Sequence, residues 1–488
     1  MTLVLTFLHI ALAIVVSAHI VLTKDDVRAA IGWIGLVWLA PILGSAIYVL
    51  FGINTVNRSA EQRGMRRGQS MSDADRAALI RGDALSASQP GLPVASAAAL
   101  PADAPRSLHA LARLVGAVTR VPLEQGCSVD ALVNGDEAYP AMLAAIESAT
   151  RTVAMTSYIF DRGQAGTMFV DALARAAGRG VQVRVLIDGV GARYSHPPIT
   201  DELKRRGVPV ARFLPVVIPV PHPYYNLRNH RKMMIVDGTV GFCGGINIRD
   251  SCILALGRPD ATQDLHFRLR GPVVQQLAQA FAFDWKFTTK ECLPDTTWCP
   301  EQTAAGDVVA RGIPDGPDAD FETLLMTILG ALSVARRSVR LSTPYFLPDP
   351  PLIDAFRVAA LRGVDVQILL PAHGNLRFVQ WAATHQLPQV VAWGCRVYLS
   401  PAPFDHSKLL LVDDNWSLIG SGNLDPRSLR LNFEYNVECY SPDVNARLGA
   451  ILDAKIAAAR LLTFDELSAR SLPSRLRDGV AWLAQPYL

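Results

Sequence analysis

One short motif occurs twice in this chain, and its recurrence limits the possible folds more than any other feature. Residues 230–237 read His-Arg-Lys-Met-Met-Ile-Val-Asp, and residues 406–413 read His-Ser-Lys-Leu-Leu-Leu-Val-Asp, so both copies follow H-x-K-x₄-D. In each copy a glycine comes seven residues after the aspartate and an asparagine ten residues after it. Matching motifs with matching trailing residues indicate an internal duplication, so we expect two similar halves.

A second repeated phrase supports the duplication. Residues 179–183 (Arg-Gly-Val-Gln-Val) return as residues 362–366 (Arg-Gly-Val-Asp-Val). Helical and strand patterns alternate around both copies, which predicts layered α/β sheets. The predicted helices cover residues 139–150, 166–177, 321–340 and 352–361, and the predicted strands cover residues 152–160, 181–187, 340–346 and 364–370.

The motif spacing has a chemical meaning. Residues 233–236 and 409–412 are continuous apolar runs, which are typical of strands buried on both faces. Side chains two positions apart on a strand point the same way, so each histidine shares a face with the lysine two residues later. Two copies brought together would offer two imidazoles and two ammonium groups to one phosphate diester.

These residues resemble the phospholipase D superfamily, whose signature is the paired HxKxxxxD motif. Several further segments are similar to bacterial cardiolipin synthases: residues 158–160, 229–232, 343–346, 427–429 and 432–434. The resemblance implies an α/β fold of two duplicated phospholipase D-like halves packed face to face, with the catalytic site at their junction.

The resemblance also implies roles for the motif residues. His230 is expected to attack phosphorus and form a phosphatidyl-histidine intermediate, while His406 serves as general acid and base. Lys232 and Lys408 should bind the non-bridging oxygens. The remaining motif residues of the predicted catalytic set brace the strand ends; they are Asp237 and Asp413.

Four more residues complete the predicted site. Asn247 and Asn423 are expected to bind the phosphoryl group of the substrate. Asp264 and Glu434 resemble the family carboxylates that hydrogen-bond the histidines and fix their tautomers. No metal and no cofactor is expected, because the histidines and lysines would supply the nucleophile, the acid and the neutralising charge.

The N-terminus predicts a membrane anchor. Residues 2–22 and 31–52 carry no formal charge, and each run is long enough to cross about 30 Å of hydrocarbon as a helix. Arginines follow the second run at positions 58, 63, 66 and 67, which favours a cytoplasmic location for the downstream side. The predicted order is a two-helix transmembrane hairpin (1–56), a linker (57–115), a first half (116–310) and a second half (311–488), in a multi-pass protein of the bacterial inner membrane.

These observations together predict a phosphatidyltransferase. Two phosphatidylglycerols would give cardiolipin and glycerol, with membrane lipids as the partners. The formal net charge of +3 is too small to argue for nucleic acid. A hydrolytic phospholipase D and a synthase that uses another phosphatidyl donor, such as phosphatidylethanolamine, remain open alternatives. A nuclease and a non-catalytic scaffold are less consistent with the two apolar runs and the two intact motifs.

Overall fold

The computed structural model describes residues 2–24, 27–49, 100–101, 104–215, 227–317 and 322–485. The chain divides into two compact units, one formed by the N-terminal helices and the other by the residues from 100 onward. Most of the predicted linker, residues 57–99, lies outside the described residues, and so do the arginines at positions 58, 63, 66 and 67.

The described residues of the N-terminal unit form three helices: α1 (Thr2–Thr23), α2 (Val27–Leu39) and α3 (Pro41–Ile47). They pack around a small apolar cluster that includes Val16, Ile20 and Tyr48. The predicted second span is divided between α2 and α3, because the proline that starts α3 lacks a backbone N–H and cannot continue α2. Within the described residues, no helix combines the length and the hydropathy needed to cross a bilayer.

In the described part of the larger unit the first helix is α4 (Arg106–Thr119), which is followed by two sets of strands and helices. The first set, the first repeat, consists of β1 (Glu124–Val133), α5 (Asn134–Ser148), β2 (Thr152–Ser157), α6 (Gln164–Gly178), β3 (Gln182–Asp188), α7 (Ile199–Arg205), β4 (Val210–Phe213), β5 (Arg228–Asn229), β6 (Met233–Val236), β7 (Val240–Gly244), β8 (Thr262–Gln263), β9 (Leu265–Arg270), α8 (Val273–Thr289) and α9 (Asp295–Trp298).

The second repeat has the corresponding elements and a longer C-terminal extension. It consists of β10 (Val308–Asp315), α10 (Thr323–Val334), β11 (Ser338–Ser342), α11 (Pro350–Leu361), β12 (Asp365–Pro371), α12 (Arg377–Gln386), α13 (Pro388–Val391), β13 (Arg396–Ser400), β14 (Phe404–Asp405), β15 (Leu409–Val412), β16 (Trp416–Gly420), α14 (Pro426–Arg430), β17 (Asn432–Tyr440), α15 (Pro442–Ala457), β18 (Arg460–Leu462), α16 (Phe464–Ser468) and α17 (Leu472–Leu483).

The order of the strands confirms the duplication. From its edge inward, the first repeat runs β4-β3-β2-β6-β7-β9-β1, and the second runs β13-β12-β11-β15-β16-β17-β10, with β18 outside β13. The two orders are equivalent, and antiparallel pairing of β1 with β10 joins them into one sheet of the described chain. The predicted fold of two duplicated α/β halves is therefore confirmed.

The motif strands have the predicted surroundings. Every residue of β6 and β15 is buried, because each strand lies inside its repeat with helices covering the sheet. The predicted helix over residues 321–340 is shorter in the structure: α10 ends at Val334, and β11 begins at Ser338. Ala335 has an extended backbone, which ends the helix there.

Helix α4 differs from the predicted linker, which extended to residue 115. Its buried side chains Leu111, Ala112 and Val115 belong to the apolar core of the second repeat, together with Leu324 and Ile328 of α10. The amphipathic pattern of α4 thus gives it a packed position, although it precedes the first repeat in sequence.

Two short strands cross between the repeats. Strand β5 of the first repeat pairs in parallel with β17 of the second, and β14 of the second pairs in parallel with β8 of the first. The backbone N–H of His230 donates to the carbonyl of Phe433 at 2.9 Å, and that of His406 donates to Gln263 at 2.7 Å. Each motif therefore starts on a strand that the opposite repeat holds in place.

Candidate active site

The two motif histidines line one cleft at the junction of the repeats. His230, His406, Asn247 and Asn423 all border this open cleft, which has a free volume of about 240 Å³. The motif lysines lie beneath its surface: Lys232 is 2% exposed and Lys408 is 4% exposed. The structure thus brings together the histidines, lysines and asparagines that the sequence singled out.

Glu434 of the second repeat holds His230 of the first. The Nδ1 atom of His230 lies 2.8 and 3.0 Å from the two carboxylate oxygens of Glu434. Because an ionised carboxylate only accepts hydrogen bonds, this contact places the proton on Nδ1 and leaves the lone pair on Nε2. Burial raises the pKa of Glu434, but the nearby charges of His230 and Lys232 and the Ser421 hydroxyl outweigh it and lower the pKa to about 2.

The reciprocal contact joins Asp264 of the first repeat to His406 of the second. Asp264 Oδ2 lies 2.7 Å from Nδ1 of His406, and its Oδ1 accepts from the backbone N–H of Leu265 at 2.8 Å. Burial raises the pKa of Asp264, but the charges of Lys408 and His406 lower it by more than burial raises it. The carboxyl therefore remains ionised. Each histidine therefore receives its carboxylate from the other repeat.

The position of the two motif lysines is suited to binding an anion. Nζ of Lys232 donates to the carbonyl of His230 at 2.6 Å, and Nζ of Lys408 donates to the carbonyl of His406. Burial is the main cause that lowers the pKa of Lys232 to about 7, and it also lowers the pKa of Lys408. A bound phosphodiester would supply the negative charge that favours the ammonium form of both side chains.

The lysines differ in their position relative to the imidazoles. Nζ of Lys408 lies 2.7 Å from Nδ1 of His406 and 3.9 Å from the carboxylate of Asp264. Nζ of Lys232 lies above the ring of Tyr158, 5.6 Å from its centroid. Nδ1 of His406 is therefore within hydrogen-bond distance of both Lys408 and Asp264. Nδ1 of His230 contacts the carboxylate of Glu434 and not the lysine of its own motif.

Asp237 and Asp413 lie away from the cleft, at the far ends of β6 and β15. The Asp237 carboxylate accepts from the backbone N–H groups of Thr150, Arg151 and Thr152 at 2.7–2.9 Å. Asp413 accepts in the same way from the N–H groups of residues 336–338. Their place in the catalytic set is thus not supported by contact with the reacting groups, and the expected bracing role is what the hydrogen bonds show.

The two asparagines occupy equivalent positions in the cleft. Oδ1 of Asn247 accepts from the backbone N–H of Ile159 at 3.0 Å. The buried Oδ1 of Asn423 has no hydrogen-bond partner among the described residues. Both amides border the cleft, so their position fits the predicted contact with a phosphoryl group.

Sequence reasoning missed the residues that support Glu434. Its carboxylate accepts from Ser421 Oγ at 2.5 Å, Ser428 Oγ at 2.9 Å and Asn432 Nδ2 at 3.1 Å. Ser428 and Asn432 lie in segments that carry the family resemblance, and Ser421 follows the motif glycine Gly420. No spacing rule could show that the three converge. The absence of a hydroxyl at the position equivalent to Ser421 in the first repeat was the available signal.

The sequence also assigned no role to Tyr158 and Tyr345. The ring of Tyr158 meets that of His230 edge-on with centroids 5.1 Å apart, and Tyr345 meets His406 at 6.2 Å. Each tyrosine follows the first strand of its parallel pair, β2 or β11, so the duplication places both beside a histidine. Burial raises the pKa of both phenols, which keeps them neutral.

The matched arrangement of both repeats agrees with comparisons to known proteins. The family model described as cardiolipin synthase, phospholipase D-like domain, matches residues 142–285 and 328–456. The chain belongs to the cardiolipin synthase family of phospholipase D-like proteins. This result confirms the family predicted from the paired motifs.

Individual relatives agree with the family assignment. A cardiolipin synthase of Geobacillus kaustophilus is 30% identical over 97% of this chain and 92% of its own length. The major cardiolipin synthase of Bacillus subtilis is 33% identical over 74% of this chain and 75% of its own. The predicted enzyme class, a phosphatidyltransferase of the cardiolipin synthase type, is thereby confirmed.

A solved structure supports the fold. The crystal structure of a phosphatidylserine synthase of Haemophilus influenzae matches with a TM-score of 0.61 and 14% identity. The match covers 78% of this chain and all of the other. At this identity the likeness concerns the fold, which is the duplicated α/β architecture described above.

Proposed function

We propose that this chain transfers a phosphatidyl group from one phosphatidylglycerol to another, forming cardiolipin and releasing glycerol. The observation that carries the proposal is the pair of crossed histidine–carboxylate contacts facing one cleft, with a buried lysine beside each histidine. This arrangement provides a nucleophile, an acid and charge neutralisation around a single phosphorus atom.

In the first step, Nε2 of His230 attacks the phosphorus of the donor lipid. A nitrogen–phosphorus bond forms, the bond from phosphorus to the glycerol headgroup breaks, and His406 gives a proton to the departing oxygen. We assign the attack to His230 because Glu434 is the one hydrogen-bond partner of its Nδ1 among the described residues and fixes the attacking tautomer. In His406, Lys408 competes with Asp264 for the same nitrogen.

In the second step, His406 accepts the proton from the terminal hydroxyl of a second phosphatidylglycerol. The oxygen attacks the phosphatidyl-histidine, the nitrogen–phosphorus bond breaks, and His230 returns to its neutral form. One phosphodiester bond is broken and one is made, so the exchange requires no external energy source.

Substrate binding equips His406 to act as an acid. Burial and the charge of Lys408 lower the pKa of His406 to about 4 in the empty site, so the imidazole is neutral there. An anionic phosphodiester between the lysines offsets their charges and thereby raises the pKa of His406. The proton needed for glycerol release is thus favoured when the donor is bound.

The N-terminal helices would hold the enzyme at its substrate. Several apolar side chains of α1 and α2 are exposed, among them Phe7 at 73%, Leu22 at 83% and Leu39 at 88%. Such a surface fits hydrocarbon better than water. The proposal therefore includes a membrane hairpin (1–56), a linker that starts at residue 57 and ends before α4 at Arg106, and two catalytic halves (116–310 and 311–488) on the cytoplasmic side of the bacterial inner membrane.

The test uses the purified full-length chain and vesicles of phosphatidylglycerol labelled in the headgroup glycerol. We expect cardiolipin and free glycerol in equal amounts, and neither product from His230→Ala. The matched control is His109→Ala, whose ring contacts the carbonyl of Pro101 outside the cleft and whose loss should leave turnover unchanged. Phosphatidic acid as the main product would contradict the proposal and indicate a hydrolase.

A further inference from the structure

The cleft is not symmetric, although the repeats that form it are. Two residues before the motif histidine, the first repeat has Arg228 and the second has Phe404; two residues after the motif asparagine, the first has Arg249 and the second has Asp425. All four side chains border the cleft. The first repeat therefore has arginines at two positions where the second has an aromatic ring and a carboxyl group, while the second repeat contributes its own arginine, Arg427, two residues after Asp425.

Arg249 is oriented for binding a further group. Its Nε donates to Asp161 Oδ2 at 2.6 Å, and its guanidinium lies above the ring of Tyr194, 5.7 Å from the centroid. These contacts fix the plane of the guanidinium and occupy one of its donors. The terminal amino groups make no hydrogen bond to another described residue, and the side chain remains 33% exposed. Such a fork matches the paired oxygens of a phosphate.

The position of Arg249 relates it to the acceptor lipid. The turn that follows it, residues 250–252, packs against β8, the strand that pairs with the strand before His406. An acceptor hydroxyl must approach phosphorus from the His406 side, because His230 occupies the opposite face. Arg249 thus borders the cleft next to the strand that leads to His406. Its stacking partner Tyr194 contacts Tyr158, whose ring lies beside His230.

The chemistry of the acceptor requires a second anion site. In phosphatidylglycerol, a glycerol of three carbons separates the attacking hydroxyl from a second phosphodiester. In the proposed reaction the two lysines bind the reacting phosphate, so the second negative charge needs another partner beside the cleft. Resting on the proposed function, we propose that Arg249 binds the phosphodiester of the acceptor phosphatidylglycerol and selects an anionic lipid as acceptor.

Two reactions of the same enzyme distinguish binding of the acceptor phosphate by Arg249 from a role of Arg249 in donor binding or folding. Cardiolipin formation uses an anionic acceptor, whereas exchange of labelled free glycerol into phosphatidylglycerol uses a neutral one. Both reactions share the donor, the leaving glycerol and the phosphatidyl-enzyme. A residue that binds only the acceptor phosphate should affect the first reaction and spare the second.

We expect Arg249→Gln to lower kcat/KM for cardiolipin formation about 10- to 100-fold, the usual effect of losing a hydrogen bond to a charged group. Glycerol exchange should stay within about twofold of wild type. Arg249→Lys should recover part of the loss, because it restores the charge without the fork. Arg258→Gln removes a nearby exposed arginine paired with Asp260 and should change neither reaction.

The outcomes distinguish this inference from the proposed function. Equal losses in both reactions would overturn the inference and assign Arg249 to the donor or to the fold. Unchanged cardiolipin formation would also overturn it. If wild-type protein performed neither reaction, the proposed function itself would fail. The intact glycerol exchange expected of Arg249→Gln shows at the same time that the variant is folded.

Discussion

The two repeats build the same contact with different parts. In the second repeat, Glu434 accepts from Ser421, Ser428 and Asn432 as well as from His230, all within the described residues. In the first, the shorter Asp264 fills the space itself: a Cβ added at Gly245, the position equivalent to Ser421, would come within 2.2 Å of its carboxylate. Glu434 with Ser421 and Asp264 with Gly245 thus place a carboxylate at nearly the same distance from a histidine. Glu434 accepts hydrogen bonds from more donors than Asp264 does.

The largest expected effect concerns the histidines themselves. Both His230→Ala and His406→Ala should lower cardiolipin formation about 10³-fold or more. A phosphatidyl donor with a nitrophenyl leaving group separates them, because nitrophenolate departs without protonation. His406→Ala should then release one nitrophenolate per enzyme in a burst, while His230→Ala releases none. A burst from His230→Ala instead would reverse the assigned roles.

Replacing the carboxylates tests whether their surroundings matter. Glu434→Gln and Asp264→Asn each remove the charge that fixes a histidine tautomer, an effect of about 10⁴-fold on kcat in a Ser-His-Asp triad. We expect the larger loss from Glu434→Gln, because it disturbs the nucleophile and a carboxylate with more donors. Steady-state kcat on phosphatidylglycerol measures this order, and equal losses would indicate equivalent histidines.

The dependence of kcat/KM on pH should show the ionisation of Lys232, the lysine of the first repeat. Burial lowers the pKa of Lys232 to about 7, and only its charged form binds the phosphate, so above that pH kcat/KM should fall by a further factor of about ten per pH unit, beyond the loss already caused by deprotonation of His406. Burial also lowers the pKa of His230, which must be neutral to attack, and this places the rising limb below 6.5. Lys232→Arg should move the falling limb upward; an unmoved limb would assign it to another group.

Gly245 packs so closely against the Asp264 carboxylate that an added methyl group should lower activity. Gly245→Ala should displace the carboxylate from His406 and lower kcat about tenfold. Ser421→Ala, which removes one donor from Glu434, should cost a similar or smaller factor. Gly178→Ala is the matched control, because an added Cβ meets nothing within 4 Å there. Unchanged kcat in Gly245→Ala would show that the first repeat tolerates the serine-type arrangement.

The smallest effect on turnover is expected from the motif aspartates. Asp237→Ala should lower the free energy of unfolding by about 1 kcal/mol, reduced by its partial exposure, and leave kcat within about twofold. Burial raises the pKa of Asp237, but the backbone N–H groups of residues 150–152 lower it more. Its stabilising contribution is therefore present above the unfolded pKa and lost as pH falls. Thermal melts at neutral and acidic pH measure this difference, which should vanish in acid.

The sequence predicted the elements that follow local rules. Buried motif strands, paired histidines and the alternating helices all came from periodicity and repetition, and the structure contains them. The crossing of Glu434 and Asp264 could not be predicted, because it depends on how the repeats join at β1 and β10 and on the short strands β5 and β14. The packing of α4 on the second repeat was missed for the same reason, since no local pattern records a contact so distant in sequence.

The exchange of carboxylates between the repeats has a consequence for synthesis of the chain. While the polypeptide is growing on the ribosome, His230 emerges long before Glu434, and until then its imidazole lacks the partner that fixes its attacking tautomer. A growing chain is thereby kept from cleaving phosphodiesters, and that chemistry starts only when the C-terminal region has been translated and docked.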